Sequence, residues 1–140
     1  MKKILATLLC ITCIALSGCS VEVSDMKSEY LTSSFDGVWR QVDYNSESYL
    51  EAIIKDGIIT INMMKDDEIV GVYWYGNVPA LTGPVSDYQW VSDVDISKIH
   101  QDLVYLSDKE KHFIYINGRL WFPYSMSDYS IIMRLERVEE

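Results

Sequence analysis

The 140-residue chain carries 21 acidic side chains against 12 basic ones, a formal net charge of −9, and 49 % of its residues are hydrophobic. Its lysines and arginines are scattered singly, without a cluster or stripe. That excludes nucleic acid as a partner and argues against docking of a folded domain onto anionic lipid, since both need massed cations; the acidity itself reads as solubility through self-repulsion.

Met1-Lys2-Lys3 is a short positive start, and Ile4 to Leu16 is an uncharged run of thirteen residues. That run has the length of a signal-peptide hydrophobic region and falls short of the about 20 apolar residues a membrane span needs. It closes in Leu16-Ser17-Gly18-Cys19, which resembles the lipobox of bacterial lipoproteins. The resemblance implies that Cys19 receives a diacylglyceryl group and that the chain is cut just before it. Residues 1–18 are then a signal peptide, and the lipid bilayer is a partner through Cys19. The expected location is the extracytoplasmic face of the cell membrane, by lipid anchor. Cys10 and Cys13 lie in the segment removed, so their C-x-x-C spacing carries no metal or redox role. Removing 18 of the 140 residues leaves 122, and losing Lys2 and Lys3 takes the formal charge from −9 to −11. A chain of that length builds one compact domain, which needs a hydrophobic core because its one cysteine is lipidated.

Residues 19–34 read as the lipidated cysteine and a flexible tether, with five serines and one threonine among residues 20–34. Extended at about 3.5 Å per residue, the tether reaches roughly 50 Å. Residues 35–140 form the domain, where short β-branched and aromatic runs alternate with polar turns. A strand is expected over Val38 to Asp43. Tyr49 to Met64 is a hairpin turning on Asp56-Gly57, a dipeptide suited to the positive φ of a two-residue turn. Pairing outward from the turn matches Ile54 with Ile59, Ala52 with Ile61 and Leu50 with Met63 on an apolar face. Glu51 with Asn62 and Ile53 with Thr60 make a mixed face. Further strands are expected at Ile69 to Tyr75 and Tyr88 to Val94. One or two helical turns are expected over Ile96 to Val104, and a short strand at Leu103 to Leu106. A second hairpin turns on Asn117-Gly118. It pairs Tyr115 with Leu120 and Phe113 with Phe122 toward the core, and Ile116 with Arg119 and Ile114 with Trp121 away from it. The last strand runs from Ser130 to Val138. Such a succession predicts an all-β fold, a small antiparallel meander closed into a barrel of about seven to nine strands. A two-sheet sandwich is the competing architecture.

Few residues offer chemistry. His100 and His112 are far apart in the sequence and fit surface positions better than metal ligands. No serine sits in a nucleophile elbow and no Gly-rich phosphate loop is present. Asp66-Asp67-Glu68 fits a solvated turn. Asp93-x-Asp95-x-Ser97 opens like a calcium loop but has Lys98 where glycine is needed and Val104 where a bidentate glutamate is needed. Neither an enzyme, nor a cofactor, nor a metal is expected. The remaining signal is aromatic content in the middle and end of the chain. Core filling explains it most simply. The alternative makes Trp74, Trp90, Tyr115 and Trp121 ligand or partner contacts, with Trp121 beside Ile114 as an outer patch.

Gly37-Val38-Trp39 resembles the G-x-W signature of the lipocalins. The wider run resembles small lipocalin-like (calycin-type) lipoproteins of Gram-positive bacteria and their phages: Tyr73-Trp74-Tyr75-Gly76, Tyr88-Gln89-Trp90, Phe113-Ile114-Tyr115 and Leu135-Glu136-Arg137-Val138. The likeness implies a barrel whose Trp39 plugs one end, with Gly37 before it and an arginine of the last strand across it. Arg137 is the nearer candidate and Arg134 the other. The chain is shorter than typical lipocalins and lacks their disulfide, which argues against a deep cup. The expected function is non-enzymatic binding of a small apolar ligand or an envelope component at the membrane. The alternative is a solid-core interaction protein that contacts an envelope or phage protein, as in superinfection exclusion.

Overall fold

The computed structural model describes residues 34–44, 47–106, 108–126 and 128–139. The expected signal segment, Cys19 and the expected tether up to residue 33 lie outside them. Eight strands follow in order: β1 Gly37–Gln41, β2 Ser48–Lys55, β3 Ile58–Lys65, β4 Glu68–Asn77, β5 Asp87–Asp93, β6 Glu110–Ile116, β7 Arg119–Met126 and β8 Tyr129–Arg137. Two 3₁₀ segments, η1 Ile96–Lys98 and η2 Gln101–Leu106, lie between β5 and β6. All described strands belong to one antiparallel sheet in the order β4-β3-β2-β1-β8-β7-β6-β5. That is a meander curled on itself: β1 pairs with β8, and its outermost strands, β4 and β5, are brought edge to edge.

Local chemistry explains the hairpins. Asp56 and Gly57 have φ of 51° and 77°, and Asn117 and Gly118 have 51° and 76°. Two successive positive φ values match the right-handed twist of the flanking strands. Asp66 and Asp67 make a third such turn, at 49° and 62°, without any glycine. The expected β2–β3 register holds at every pair, Leu50↔Met63 through Ile54↔Ile59. In the β6–β7 hairpin Tyr115↔Leu120, Ile116↔Arg119 and Ile114↔Trp121 hold as well, whereas the fourth expected pair, Phe113 with Phe122, falls beyond the ladder, its rings still 5.4 Å apart.

Side-chain alternation sends one face of each strand inward. Trp39, Ala52, Ile54, Ile59, Ile61, Phe113, Leu120, Phe122 and Leu135 are at most 2 % exposed. Burying a side chain of this size contributes roughly 1.5–3 kcal/mol. In β4 the register jumps from Ile61↔Trp74 to Asn62↔Val72, leaving Tyr73 as an extra residue. Such a bulge re-aims its side chains, and Tyr73 and Trp74 are both buried although adjacent in sequence.

The β4–β5 seam holds one bridge, Gly76↔Val94. The segment that follows β5 serves the β4 edge instead: Asp95 N–H donates to the Tyr75 carbonyl (2.8 Å) and His100 N–H to that of Val72 (3.0 Å). The Trp74 indole N–H donates to Ser92 Oγ across the seam at 3.1 Å. Asp95, part of the calcium-loop look-alike, is the N-cap of η1, accepting from Ser97 N–H. One expectation is corrected here. Residues 103–106 are not a strand but part of η2. The Leu103 amide turns back to the His100 carbonyl (2.8 Å), and Leu103 and Ile99 bury their side chains against the core.

Candidate functional site

The two ends of the barrel differ in construction. One end gathers the start of β1, the Asp56-Gly57 and Asn117-Gly118 turns and the end of β8; we call it the closed end. Gly37 has a φ of 142°, which a residue with a side chain rarely adopts, and it begins β1. Trp39 donates its indole N–H to the Phe35 carbonyl at 2.9 Å. The Arg137 guanidinium lies 4.7 Å from the Trp39 ring centre and donates to the Ser34 carbonyl at 3.0 Å. Phe35 fills the space beside them, its ring 4.9 Å from Trp90 and 5.6 Å from Tyr115. Gly37, Trp39 and Arg137 thus stand together, in a plug of aromatic rings.

The opposite end, the mouth, is shaped by a proline. In the β6–β7 hairpin the hydrogen-bonded pairs alternate from the turn, so the next after Ile114↔Trp121 would need the N–H of Pro123. Proline has none, and the β6–β7 register ends at Trp121. Beyond it β7 continues with β8 alone, through Tyr124↔Ile131 to Met126↔Tyr129. The groups released from the ladder find new partners inside the barrel. Lys111 Nζ donates to the Pro123 carbonyl at 2.9 Å and to the Tyr73 hydroxyl at 3.0 Å. That hydroxyl also accepts from Ser125 N–H at 3.2 Å. The bulged Tyr73 is what lets β4 reach across.

Lys111 is therefore an inward-facing cation, 2 % exposed. Its Nζ lies 5.0 Å from the ring centres of both Tyr73 and Trp74. The nearest carboxylate described, Asp108, is 3.8 Å away, beyond hydrogen-bond distance, with its side chain 55 % exposed. Burial pulls the Lys111 amine down to about 8, partly opposed by Asp108. Burial likewise pushes the Tyr73 phenol up to about 12 and raises that of Tyr124, whose ring lies 4.6 Å from that of Tyr73.

Around this cluster the surface turns apolar. Ile69, Val70, Ile96, Tyr129, Ile131 and Ile132 are each at least 46 % exposed, more than any other large hydrophobic residue described. All six belong to the mouth end: the start of β4, η1 and the β7–β8 hairpin tip. Met63, Met126 and Met133 lie half-buried just inside. Methionine is unbranched and adapts to irregular shapes. The arrangement sets an apolar rim over the one buried cation among the described residues.

The sequence-expected contacts are placed differently. Trp74, Trp90 and Tyr115 are buried core residues, Trp90 stacking on Phe113 at 5.1 Å. Trp121 lies on the outer face with Arg134 5.5 Å from its ring centre, and its indole N–H, like that of Trp90, finds no acceptor among the described residues. Arg134 in turn bonds Asp43. Leu16, Ser17, Gly18 and Cys19 lie outside the described residues. A groove of about 850 Å³ lined by Asp36, Val38, Arg40, Glu51, Arg137 and Glu139 runs outside the barrel. Its Arg40 and Glu51 already satisfy each other at 2.7 Å. Sequence reasoning passed over Lys111, although alternation from Phe113 and Tyr115 points it inward. Among the described residues, no three His, Cys, Asp or Glu side chains gather where they could hold a metal ion. Compared with protein-family models, with characterised protein sequences and with solved structures, the chain matches none.

Proposed function

We propose that this is a lipid-anchored, non-enzymatic binding protein of the extracytoplasmic membrane face that takes a small apolar ligand at the mouth of its barrel. One observation carries the reading: the most exposed large hydrophobics described collect at a single end, above half-buried methionines, while the other end is plugged. Exposed apolar groups gathered in one place mark a binding surface. The plug and the mouth also suit a lipocalin-like ancestry, which the Gly37-Val38-Trp39 motif first suggests. In the anchored protein the chain enters β1 at the closed end, so a tether from Cys19 leaves the mouth at the far pole.

Two measurements test this. Radiolabelled palmitate should enter the full chain in bacterial cells and not its Cys19→Ser variant; equal labelling ends the anchoring half. Decanol titrated into the full chain held in amphipol should bind with a saturable heat, and the absence of saturable heat ends the ligand half.

A second reading has its own support. Val91, Ile114 and Ile116 are each at least 40 % exposed on the outer face of β5 and β6, and the closed half of the interior is filled. That combination fits a solid-core protein contacting an envelope protein through its outer sheet. A photocrosslinker at Ile114 that captures a protein in cells, while one at Ile131 captures no lipid, would favour it over the first.

A further inference from the structure

Where ladders of this sheet break off, other groups often take over the exposed main chain. The β4 edge receives the Asp95 and His100 amides. Leu50 N–H, where β2 outruns β1, finds Gln41 Oε1 at 2.9 Å. Past the end of β6, Pro123 and Ser125 bond Lys111 and Tyr73. The mouth half of β8 is left open. β1 accompanies β8 only from Arg137 to Leu135, with a last bond from Val42 N–H to the Arg134 carbonyl at 2.9 Å. On its other side β7 follows it to Tyr129. Met126↔Tyr129 flanks a two-residue turn, so it is a hydrogen-bonded pair, and bonded pairs alternate from it. Ser130 and Ile132 fall between them. Their N–H and C=O groups therefore point away from β7, to the side that β1 has left. Among the described residues no main-chain partner meets them there. Edges are normally blunted by proline, charge or a bulge; Tyr129 to Met133 has none of these, and Tyr129, Ile131 and Ile132 are 46–62 % exposed.

We infer that the open edge of β8 takes an added strand from another protein, an extended apolar stretch of about five residues flanked on both sides by lysine or arginine. The inference goes beyond the small-ligand reading and does not rest on it. Ser130 and Ile132 offer two N–H donors and two carbonyl acceptors to such a strand. Its side chains would alternate between the inner face, beside Ile131 and Met133, and the outer face, beside Ile132. Charge decides the flanks. Asp128 stands at the tip end of the edge and Asp43 at the other, with Glu47 and Asp67 exposed at the ends of the strands beyond. The cation at this edge, Arg134, already bonds Asp43. A second copy fits less well: antiparallel self-pairing about Ile131 would set the Asp128 of each copy beside the Asp43 of the other, between chains of net charge −9.

The test titrates the full chain, held in non-ionic amphipol, into fluorescein-labelled peptides followed by fluorescence anisotropy. Lys-Lys-Val-Thr-Val-Thr-Val-Lys-Lys should bind saturably. Its counterpart with glutamate for every lysine should bind at least about tenfold more weakly, attractions having become repulsions. Ile132→Pro removes a donor that takes no part in the β7 ladder, and should weaken the lysine peptide about tenfold. N-methylation of that peptide at its valines or at its threonines blocks the N–H groups on one side of the strand or the other. One of these two peptides should lose binding and the other keep it. That comparison needs no variant, so poor folding of Ile132→Pro does not blunt it. Equal effects of the two methylations overturn strand addition. Equal binding of the glutamate peptide overturns the cationic partner. A dimer in sedimentation equilibrium that Ile132→Pro dissolves overturns it in favour of a second copy. No saturable binding of either peptide overturns the edge as a docking site.

Discussion

The closed end and the mouth are made by the same eight strands, yet they put their residues to opposite uses. At the closed end the large groups pack on one another: the Trp39 indole has the Phe35 carbonyl, its ring has Arg137, and Phe35 has Trp90 and Tyr115. At the mouth, a proline interrupts one ladder, a lysine and a tyrosine substitute for it, and the β7–β8 tip projects with apolar side chains uncovered. Stability is concentrated where contacts are complete, and the proposed ligand site lies where they are left open. Substitutions at the two ends should therefore separate folding from binding.

The largest effect is expected at the plug. Trp39→Ala removes a ring that is 1 % exposed, takes away the face on which Arg137 lies and leaves the Phe35 carbonyl without its donor. A loss of about 4 kcal/mol is expected from a cavity of that size, read as a lowered urea midpoint. If Trp39→Ala cost no more than a surface substitution, the division between the ends would collapse. Next comes the seam that holds the curl closed. A Cβ at Gly76 would stand 2.2 Å from Ser92 Oγ and 2.6 Å from the Asp93 carbonyl. Gly76→Ala should cost about 2–3 kcal/mol through forced separation of β4 from β5. Hydrogen exchange at the Asp95 and His100 amides, which bond the β4 edge, should rise in the same variant.

The buried cation gives a pH signature belonging to the mouth. The Lys111 amine is lowered to about 8 in the folded protein, against its ordinary 10.5. Below pH 8 both states hold the proton and the full cost of a buried charge is present. Between pH 8 and 10.5 the unfolded chain binds more protons, so stability climbs with pH. The Tyr73 phenol, raised to about 12, acts oppositely, but only above pH 10, where the unfolded chain begins to ionise. Asp108 and Tyr124 are the other titratable groups described beside this cluster, and burial raises the Tyr124 phenol above its ordinary 10, so it keeps its proton through this window. Urea unfolding should therefore show a gain of about 2 kcal/mol from pH 8 to pH 10. Lys111→Met should flatten that rise; a rise retained in the variant would place the titration elsewhere.

Legibility in the sequence follows the same division. The hairpins at Asp56-Gly57 and Asn117-Gly118 could be read pair by pair, because a two-residue turn fixes the register and alternation then sorts the faces. Helical turns over Ile96 to Val104 were legible, but the bulge at Tyr73 was not, nor that the turn runs on through Leu103 to Leu106 in place of a strand, since both answer to edges that exist only once the sheet has curled. Pro123 and Lys111 were legible in principle. Counting hydrogen-bonded pairs outward from Asn117-Gly118 lands on Pro123, and alternation from Phe113 lands on Lys111. Weighing charged residues by their sign rather than by their position hid that one lysine faces inward. The tryptophans left two readings open, core filling as the simpler and ligand or partner contact as the alternative, with Trp121 expected on the outer face. Ring content alone does not distinguish Trp74, a core residue, from Trp121 on the outer face.

The finest comparison lies within the mouth, at two neighbours on β8. Ile131 and Ile132 are both well exposed, so replacing either by serine should alter stability by no more than about 0.5 kcal/mol. By alternation they nonetheless face opposite sides of the strand: Ile131 shares the inward face with Met133 and Leu135, and Ile132 the outward face with Arg134. A ligand seated in the mouth touches the first and not the second. Decanol titrated into the two variants should bind Ile131→Ser several-fold more weakly than the natural chain and Ile132→Ser unchanged. Equal weakening in both would mean that the whole hairpin tip, and not its inner face, is the apolar surface in use. The contact would then be with something large enough to grip both sides of a two-stranded ribbon, as the outer-sheet reading requires.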